Sequence, residues 1–227
     1  MPIVGPSISS LSASAPLSEP VWTAEARAGL AALEPRFAAI EGRAGPIPWR
    51  RRPRGFAGLL RCICGQMISN AAAEAIWKRL SALPGALEPA SFLQLDDAAL
   101  CGVAGLSRPK AAHARSLARA CLDGSLDFAA IAALDDAGAV ARIAAVKGLG
   151  PWTASIYLLF AEDRADIFPP GDVALAAGAQ HLLDLPARPA SPALVELARA
   201  WSPWRGMAAR LLWHHWRWAT GRAAGEA

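Results

Sequence analysis

The residues best suited to chemistry are a glycine-rich turn and an aspartate that follows it. The turn is Val146-Lys147-Gly148-Leu149-Gly150-Pro151-Trp152-Thr153-Ala154, and the aspartate is Asp172, within Phe168-Pro-Pro-Gly-Asp-Val-Ala-Leu175. Glycines at 148 and 150 can take positive φ and present no side chain, so backbone N–H groups can face outward where the next helix begins. Such a turn suits a phosphodiester, although a Gly-x-Gly taken alone is more often a structural helix end.

Asp172 precedes Val173-Ala174-Leu175, a sequence that predicts the start of a helix. An aspartate at that position caps the helix, with a contribution of about 1 kcal/mol to stability. The N–H groups of the helix also favour the charged form of the carboxylate. Capping is therefore compatible with a chemical role that needs an anion.

Composition restricts the class of protein. The chain has 227 residues, of which 54% are hydrophobic, enough for a sizeable core. The net charge of +4 permits a polyanionic partner without demanding one. Charged residues interrupt every apolar run, the first twenty residues lack the basic start of a signal peptide, and the four cysteines suggest no disulfide framework. We expect a soluble, cytoplasmic protein with a disordered tail at 1–20 and a short tail at 221–227.

The elements that position these residues are predicted to be helices. An apolar stripe with helical spacing runs from Phe56 to Met67 and continues toward Leu80, with a break expected near Asn70. Thr153–Ala161 is too apolar for a surface helix, which predicts a central one. Further helices are predicted at 110–122, from Asp135 onward, and at 173–183, 192–201 and 206–218. No strand pattern is present, so the predicted class is all-α.

The combination of motifs resembles the helix-hairpin-helix DNA glycosylases, and among them the 3-methyladenine DNA glycosylase II branch. The resemblance spans residues 21–220 and includes the turn, Gly171-Asp172, Gly65-Gln66-Met67-Ile68-Ser69 and the tryptophan-rich carboxyl-terminal segment. It implies a two-lobed helical fold with the active cleft between the lobes. One lobe would comprise about 56–160, and the other 21–55 together with 172–220.

The resemblance implies that Asp172 is the catalytic residue. Breaking an N-glycosidic bond develops positive charge on the deoxyribose, which a fixed carboxylate stabilises while it orients the attacking water. Relatives that also cleave the strand carry a lysine two residues after the second hairpin glycine, where this chain has Trp152. The expected enzyme is thus a monofunctional hydrolase that releases alkylated purines of the 3-methyladenine and 7-methylguanine type.

The resemblance also assigns a DNA phosphate clamp at the hairpin. Its residues are Lys147, Gly148, Leu149, Gly150 and Thr153, with Na⁺ or K⁺ bound between peptide carbonyls and the phosphate. A solvated Lys147 is an equally good interpretation. No cofactor is expected, and neither is the iron–sulfur cluster of some relatives, because no cysteine lies beyond Cys121.

The base pocket is assigned to Trp152, Ile156 and Trp213, with Tyr157 one position from where some members have a pocket tyrosine. Aromatic faces favour the positive charge of an alkylated base by about 0.5–2 kcal/mol, so such a pocket can select by charge. Core packing remains the default role for most of the nine tryptophans.

Gln66 and Met67 are assigned to a wedge that fills the gap left by an extracted base. Met67 also completes the apolar stripe that begins at Phe56, so core packing is the alternative. Arg50-Arg51-Arg52 with Arg54 predicts either a solvated loop or a phosphate contact.

The expected partner is double-stranded DNA that contains alkylated bases, bound by a monomer. Two alternatives stay open at this point. One is a non-catalytic helix-hairpin-helix module that binds damaged DNA, and the other is a glycosylase for a different lesion.

Overall fold

The computed structural model describes residues 19–221. The predicted tails lie outside this range except for residues 19, 20 and 221. Glu19 already belongs to the fold, since its carboxylate accepts hydrogen bonds from the Arg27 guanidinium at 2.6 and 2.9 Å.

Twelve α-helices, one 3₁₀ turn and one π-helical turn make up the secondary structure of residues 19–221, which contain no strand. The predicted all-α class is confirmed. The α-helices are α1 Trp22–Leu33, α2 Ala38–Ala44, α3 Gly55–Gly65, α4 Asn70–Ser81, α5 Pro89–Phe92, α6 Arg108–Leu122, α7 Phe128–Ala133, α8 Asp136–Ala144, α9 Pro151–Phe160, α10 Val173–Leu182, α11 Ser191–Arg199 and α12 Arg205–Ala219; the 3₁₀ turn is Pro35–Phe37 and the π-helical turn is Ala98–Val103.

Local capping explains where several of these helices begin. Ser69 accepts a hydrogen bond from Ala72 N–H and starts α4, Ser107 caps α6 in the same way, and Asp135 accepts from Gly138 N–H to start α8. The break expected near Asn70 is confirmed, because α3 ends at Gly65 and a four-residue turn separates it from α4.

Two groups of helices pack on one continuous hydrophobic core. In the first group, α3 packs against α4, α6 and α9, while α8 packs against α9. Helix α9 is buried from Thr153 to Leu159, which confirms the predicted central helix. Within its core, the Tyr157 hydroxyl accepts from Gly55 N–H at 2.9 Å and lies 3.0 Å from the Glu162 carboxylate.

The second group is organised by α12, which packs against α1, α2 and α10. Gly178 allows the closest approach, because a Cβ there would lie 2.7 Å from the Leu212 carbonyl oxygen. Adjacent His214 and His215 have separate partners: a His214 ring nitrogen lies 2.8 Å from the Gly45 carbonyl, and His215 lies 2.9 Å from His181. The two groups form the expected two-lobed fold, with α9 and α10 at their junction; the residue bounds given above for the lobes stay predictions.

Candidate functional site

Asp172 lies at the amino end of α10, as predicted. Its Oδ1 accepts the Leu175 N–H at 2.9 Å, which is the expected capping bond. Two indoles also donate to the carboxylate: Trp213 Nε1 to Oδ1 at 3.1 Å, and Trp152 Nε1 to Oδ2 at 2.9 Å. Tertiary structure thus brings the predicted catalytic residue into contact with two of the three predicted pocket residues.

The hydrogen bonds fix the Asp172 carboxylate but do not occupy all of its lone pairs. A carboxylate offers about four lone-pair positions, and three are occupied here. The side chain is partly exposed, and Gly171 before it takes a φ of +73°, a turn that a side chain would strain. A fixed, partly exposed carboxylate with a free lone pair can face a developing cation or a water molecule.

Helix α9 and helix α12 supply the aromatic surface beside this carboxylate. Trp152 and Trp213 are partly buried, whereas Ile156, one turn after Trp152, is only 4% exposed. Phe160 stacks on Trp213, with ring centroids 5.7 Å apart and planes 26° from parallel. Phe160 was not among the predicted site residues, although its position two turns after Trp152 on the same helix face could have indicated it.

Two arginines lie on the Phe160 ring. The Arg52 guanidinium is 5.2 Å from the ring centroid, and that of Arg210 is 4.4 Å away. Arg210 also lies 4.0 Å from the centroid of Trp49, and burial lowers its pKa to about 10 although the nearby Asp163 carboxylate opposes this. The aromatic wall of the site is therefore backed by positive charge.

The arginine-rich segment before α3 is attached to the carboxyl end of α9. Arg51 pairs with Asp163 at 2.7 Å, Arg54 donates to the Ala161 carbonyl at 3.1 Å, and the Arg52 N–H donates to the Phe160 carbonyl at 2.9 Å. Arg50 is half-buried, and that burial lowers its pKa. The segment connects α3 to α9 while Arg51 and Arg54 remain exposed to solvent, and a phosphate contact stays a prediction.

The hairpin glycines have different conformations. Gly148 has a φ of +92°, and a Cβ there would overlap the His113 imidazole on α6. Gly150 has a φ of −80° and a ψ of 173°, which any residue adopts, and a Cβ there would meet open space. The expectation of positive φ was thus right for Gly148 and wrong for Gly150, where the glycine leaves space instead.

The amino end of α9 is open to an anion. Gly150 provides no side-chain cap, and Pro151 occupies the first turn, so the first N–H groups of the helix lack intrahelical partners. Lys147 is exposed beside them, while Leu149 is 1% exposed and anchors the hairpin in the core. The arrangement suits a phosphate oxygen bound by backbone N–H groups.

The expected Na⁺ or K⁺ would be held by peptide carbonyls of the hairpin. The Val146 carbonyl accepts the Leu149 N–H at 3.0 Å, and the Gly148 carbonyl accepts the Gln66 amide at 3.0 Å. A carbonyl oxygen has two lone pairs, so each retains one for a cation. The residues fit such an ion, which stays a prediction.

Gln66 links the predicted wedge to the predicted clamp. Its Nε2 donates to the Gly148 carbonyl and to the Thr153 hydroxyl, both at 3.0 Å. Thr153 as a whole is 3% exposed, so its hydroxyl is enclosed by the fold. Gln66 therefore positions the hairpin through hydrogen bonds.

Met67 lies outside the core. Its side chain is fully exposed and its φ is +58°, a left-handed conformation that is uncommon for residues other than glycine. The core-packing alternative was wrong, because the stripe from Phe56 ends when α3 stops at Gly65. Beside this turn, Lys110 Nζ donates to the Cys64 carbonyl at 2.8 Å, satisfying a carbonyl at the end of α3.

Metal-ligating clusters and membrane-spanning helices are both missing from the part of the chain that the structure describes. Residues 19–221 contain no group of three or more His, Cys, Asp or Glu side chains placed to hold a metal ion. Among the same residues, no helix is long and apolar enough to cross a bilayer.

Comparison with known sequences agrees with this arrangement. Residues 60–203 match the model of the family described as HhH-GPD superfamily base excision DNA repair protein. The chain is 25% identical over 181 residues to DNA-3-methyladenine glycosylase 1 of Schizosaccharomyces pombe, covering 78% of this chain and 79% of that protein. It is 32% identical over 141 residues to DNA-3-methyladenine glycosylase of Saccharomyces cerevisiae, covering 58% of this chain and 48% of that protein.

Solved structures give the same result for the fold. A DNA-3-methyladenine glycosidase from Bacillus halodurans superposes with a TM-score of 0.69 at 29% identity, over 82% of this chain and 86% of that one. The Schizosaccharomyces pombe 3-methyladenine DNA glycosylase in complex with abasic DNA superposes with a TM-score of 0.76 at 23% identity, over 89% and 99% of the two chains. The predicted fold is confirmed, and the chain belongs to the HhH-GPD superfamily of base excision DNA repair proteins.

Proposed function

We propose that this protein is a monofunctional DNA glycosylase that hydrolyses the N-glycosidic bond of alkylated purines in double-stranded DNA. The observation that carries the proposal is the Asp172 carboxylate, held by a helix N–H and two indole N–H groups beside an aromatic surface. Relatives named DNA-3-methyladenine glycosylase support the choice of alkylated bases. The protein would act as a cytoplasmic monomer.

The first step is extrusion of the damaged nucleotide. The hairpin N–H groups at the start of α9 bind a backbone phosphate, and the exposed Met67 fills the space that the base leaves. Gln66 bonds to both the Gly148 carbonyl and Thr153, so the wedge turn and the clamp hold a constant separation. The cost of unstacking, a few kcal/mol, is lowest for a damaged base.

The second step is cleavage of the glycosidic bond. As the bond lengthens, positive charge develops on C1′ and the ring oxygen of the deoxyribose, and the Asp172 carboxylate stabilises it. The lone pair that Asp172 retains orients the water that adds to C1′. The water oxygen bonds to C1′ and the water proton passes to solvent. The electrons of the broken glycosidic bond depart with the base and neutralise its positive charge, so the products are a free base and an abasic site.

The absence of strand cleavage is proposed from the position of the lysines. The chain has lysine only at 78, 110 and 147. The position of the Schiff-base lysine holds Trp152, whose indole donates to Asp172, while Lys110 donates to the Cys64 carbonyl and Lys147 precedes the hairpin. None of these amines lies on the helix face that carries Trp152 and Ile156, so an abasic site should remain intact.

The test is incubation of purified protein with methylated duplex DNA, followed by mass spectrometry of the released bases. We expect 3-methyladenine and 7-methylguanine in the supernatant, with strand breaks only after alkali. Release of a different base would show that the substrate is another lesion. DNA binding without release of any base would favour the non-catalytic module.

Replacing Met67 by Ala separates the wedge from a structural role. Excision from duplex DNA should fall about tenfold, because the extruded state loses the side chain that fills the stack. The melting temperature should change by less than about 2 °C, since Met67 is fully exposed. Met67→Leu is the matched control and should retain activity; equal activity of Met67→Ala and wild type on duplex would show that Met67 is not the wedge.

A further inference from the structure

A second basic surface lies beside the hairpin and shares only Lys147 with the site described above. The carboxyl ends of helices α6 and α8 line a groove with a volume of about 260 Å³. Three cationic side chains line it: Arg119 from α6, Arg142 from α8 and Lys147 from the hairpin. Ser116, Asp123 and Ser125 complete the polar part of the lining.

The three cations are exposed and make no ion pair or hydrogen bond within residues 19–221 through their side chains. Many other arginines of the protein are held by carboxylates, such as Arg27 by Glu19 and Arg205 by Asp166. Three unpaired like charges repel one another, and an anion in the groove would remove that repulsion.

Asp123 is the only acidic residue that lines the groove within residues 19–221. Its Oδ1 accepts the N–H of Ser125 at 2.9 Å. Hydrogen bonding from the Ser125 side chain and N–H lowers the pKa of Asp123. The carboxylate is thus engaged by its own loop. The groove retains an excess of two positive charges.

Helix α6 relates the groove to the other DNA-facing features. Lys110 near its start contacts the end of α3, next to the wedge turn, and His113 lies against Gly148 of the hairpin. Arg119 lies six residues after His113, about 9 Å along the helix axis. That distance corresponds to about two to three base-pair steps of a duplex. Arg119 lies nine residues after Lys110, about 180° around the helix axis. The groove therefore adjoins the hairpin through Lys147 and not along the α6 face beside the wedge turn.

We propose that this groove binds the backbone phosphates of the duplex that flanks the lesion on the hairpin side, and that Arg119, Arg142 and Lys147 are its ligands. The inference rests on the proposed function, because it places the lesion at the wedge and one phosphate at the hairpin. The groove extends the contact beyond that phosphate. Contacts of this kind set affinity and register without reading the base sequence.

The experiment compares salt dependence of binding to a duplex with a central tetrahydrofuran abasic analogue. In the variant Arg119→Gln/Arg142→Gln, the slope of log K against log salt should flatten by about 1.8, since each lost phosphate contact contributes about 0.9. At about 0.1 M salt the affinity should fall on the order of tenfold or more. Undamaged duplex should lose the same factor.

The matched control is Arg36→Gln/Arg199→Gln, which removes the same two charges elsewhere. Arg36 interacts with Asp184 past the carboxyl end of α10, away from Asp172, and Arg199 ends α11. Both pair locally, Arg36 with Glu34 and Arg199 with Glu196. This control should keep the wild-type salt slope. If its slope flattens equally, the effect comes from net charge in general and the proposal that the groove binds phosphates is wrong.

Two further measurements locate the contact. Asp123→Asn keeps the acceptor for Ser125 N–H and removes the negative charge, so binding should tighten. Shortening the duplex on the hairpin-side flank should abolish the difference between wild type and Arg119→Gln/Arg142→Gln, whereas shortening the other flank should not. A difference that persists on both shortened duplexes would place the phosphates elsewhere.

Arg119 and Arg142 occupy the last turns of their helices, where the helix dipole favours a cation. Melting temperatures are therefore measured alongside, to show that binding and not folding changes. If wild type releases base and the double variant keeps the wild-type salt slope, phosphate binding by the groove is rejected and the glycosylase activity is retained. If the salt slope of the double variant flattens but wild type releases no base, phosphate binding by the groove is supported and the proposed reaction is wrong.

Discussion

The variant Asp172→Asn should lose base release by about 10³-fold or more while still binding DNA. A neutral amide cannot stabilise the positive charge that develops on the sugar, and 10³-fold corresponds to about 4 kcal/mol of transition-state stabilisation. Asparagine is as good an N-cap as aspartate, so α10 should remain folded. The measurement is single-turnover release of 7-methylguanine, with binding to an abasic-analogue duplex as the second readout.

The hydrogen bonds of Asp172 provide a sharper control. Its Oδ1 accepts two bonds, from Leu175 and Trp213, so in the Asp172→Asn variant the amide oxygen would take that place and the NH₂ group would face the Trp152 N–H. Two opposed donors cost about 1–2 kcal/mol. The double variant Asp172→Asn/Trp152→Phe removes the conflict. Recovery of stability without recovery of activity would support a requirement for the negative charge of Asp172. Recovered activity would mean that the single substitution had only disturbed the fold.

The variant Gly150→Asp should weaken DNA binding by about 10- to 100-fold while leaving the melting temperature equal or higher. Its Cβ meets open space and its φ of −80° suits any residue, so aspartate can cap α9 slightly better than glycine does. The new carboxylate would lie where the phosphate binds, and two like charges at about 4 Å repel by about 1–4 kcal/mol. Binding to damaged and undamaged duplexes, with thermal unfolding, measures both effects.

Gly150→Asn is the matched control, because it has the same shape and capping ability without the charge. It should bind DNA more tightly than Gly150→Asp. Equal loss in the two variants would indicate a steric cause, and a loss confined to damaged DNA would contradict a phosphate clamp.

Gly148 is unsuitable for the same test. A side chain there would overlap His113, and its φ of +92° disfavours any residue except glycine. Gly148→Asp should therefore lower the melting temperature as well as DNA binding. The two glycines of the hairpin serve different purposes: Gly148 permits the turn and its packing on α6, and Gly150 leaves the start of α9 accessible.

Local features of the structure could be predicted from the sequence because their physical causes are local. The caps at Asp135 and Asp172 depend on a side chain and an N–H three residues later. The central position of α9 follows from its apolar composition. The association of the hairpin with Asp172 came from the motif pattern. The match of residues 60–203 confirms the HhH-GPD family, and the roles of the hairpin and Asp172 stay predictions.

Features that depend on distant contacts could not be predicted. The bond from Gln66 to Gly148 spans 82 positions, and Arg52 reaches Phe160 only because α3 and α9 pack together. The helical period assigned Met67 to the apolar stripe, because periodicity does not indicate where a chain leaves the helix. Glycine can adopt a positive φ, which suggested a left-handed turn at Gly150. In the structure Gly150 has a φ of −80°, and its lack of a side chain leaves open space at the start of α9.

The sequence by itself determined the helical class, the helix starts and which residues could bind phosphate or stabilise a cation, since these depend on residue type and short spacing. Only the tertiary structure decided that Trp152 and Trp213 both donate to Asp172, that arginines lie behind Phe160, and that Arg119, Arg142 and Lys147 line one groove. Each of these depends on the relative placement of separate helices. That placement results from how their buried faces fit together, which no short stretch of sequence specifies.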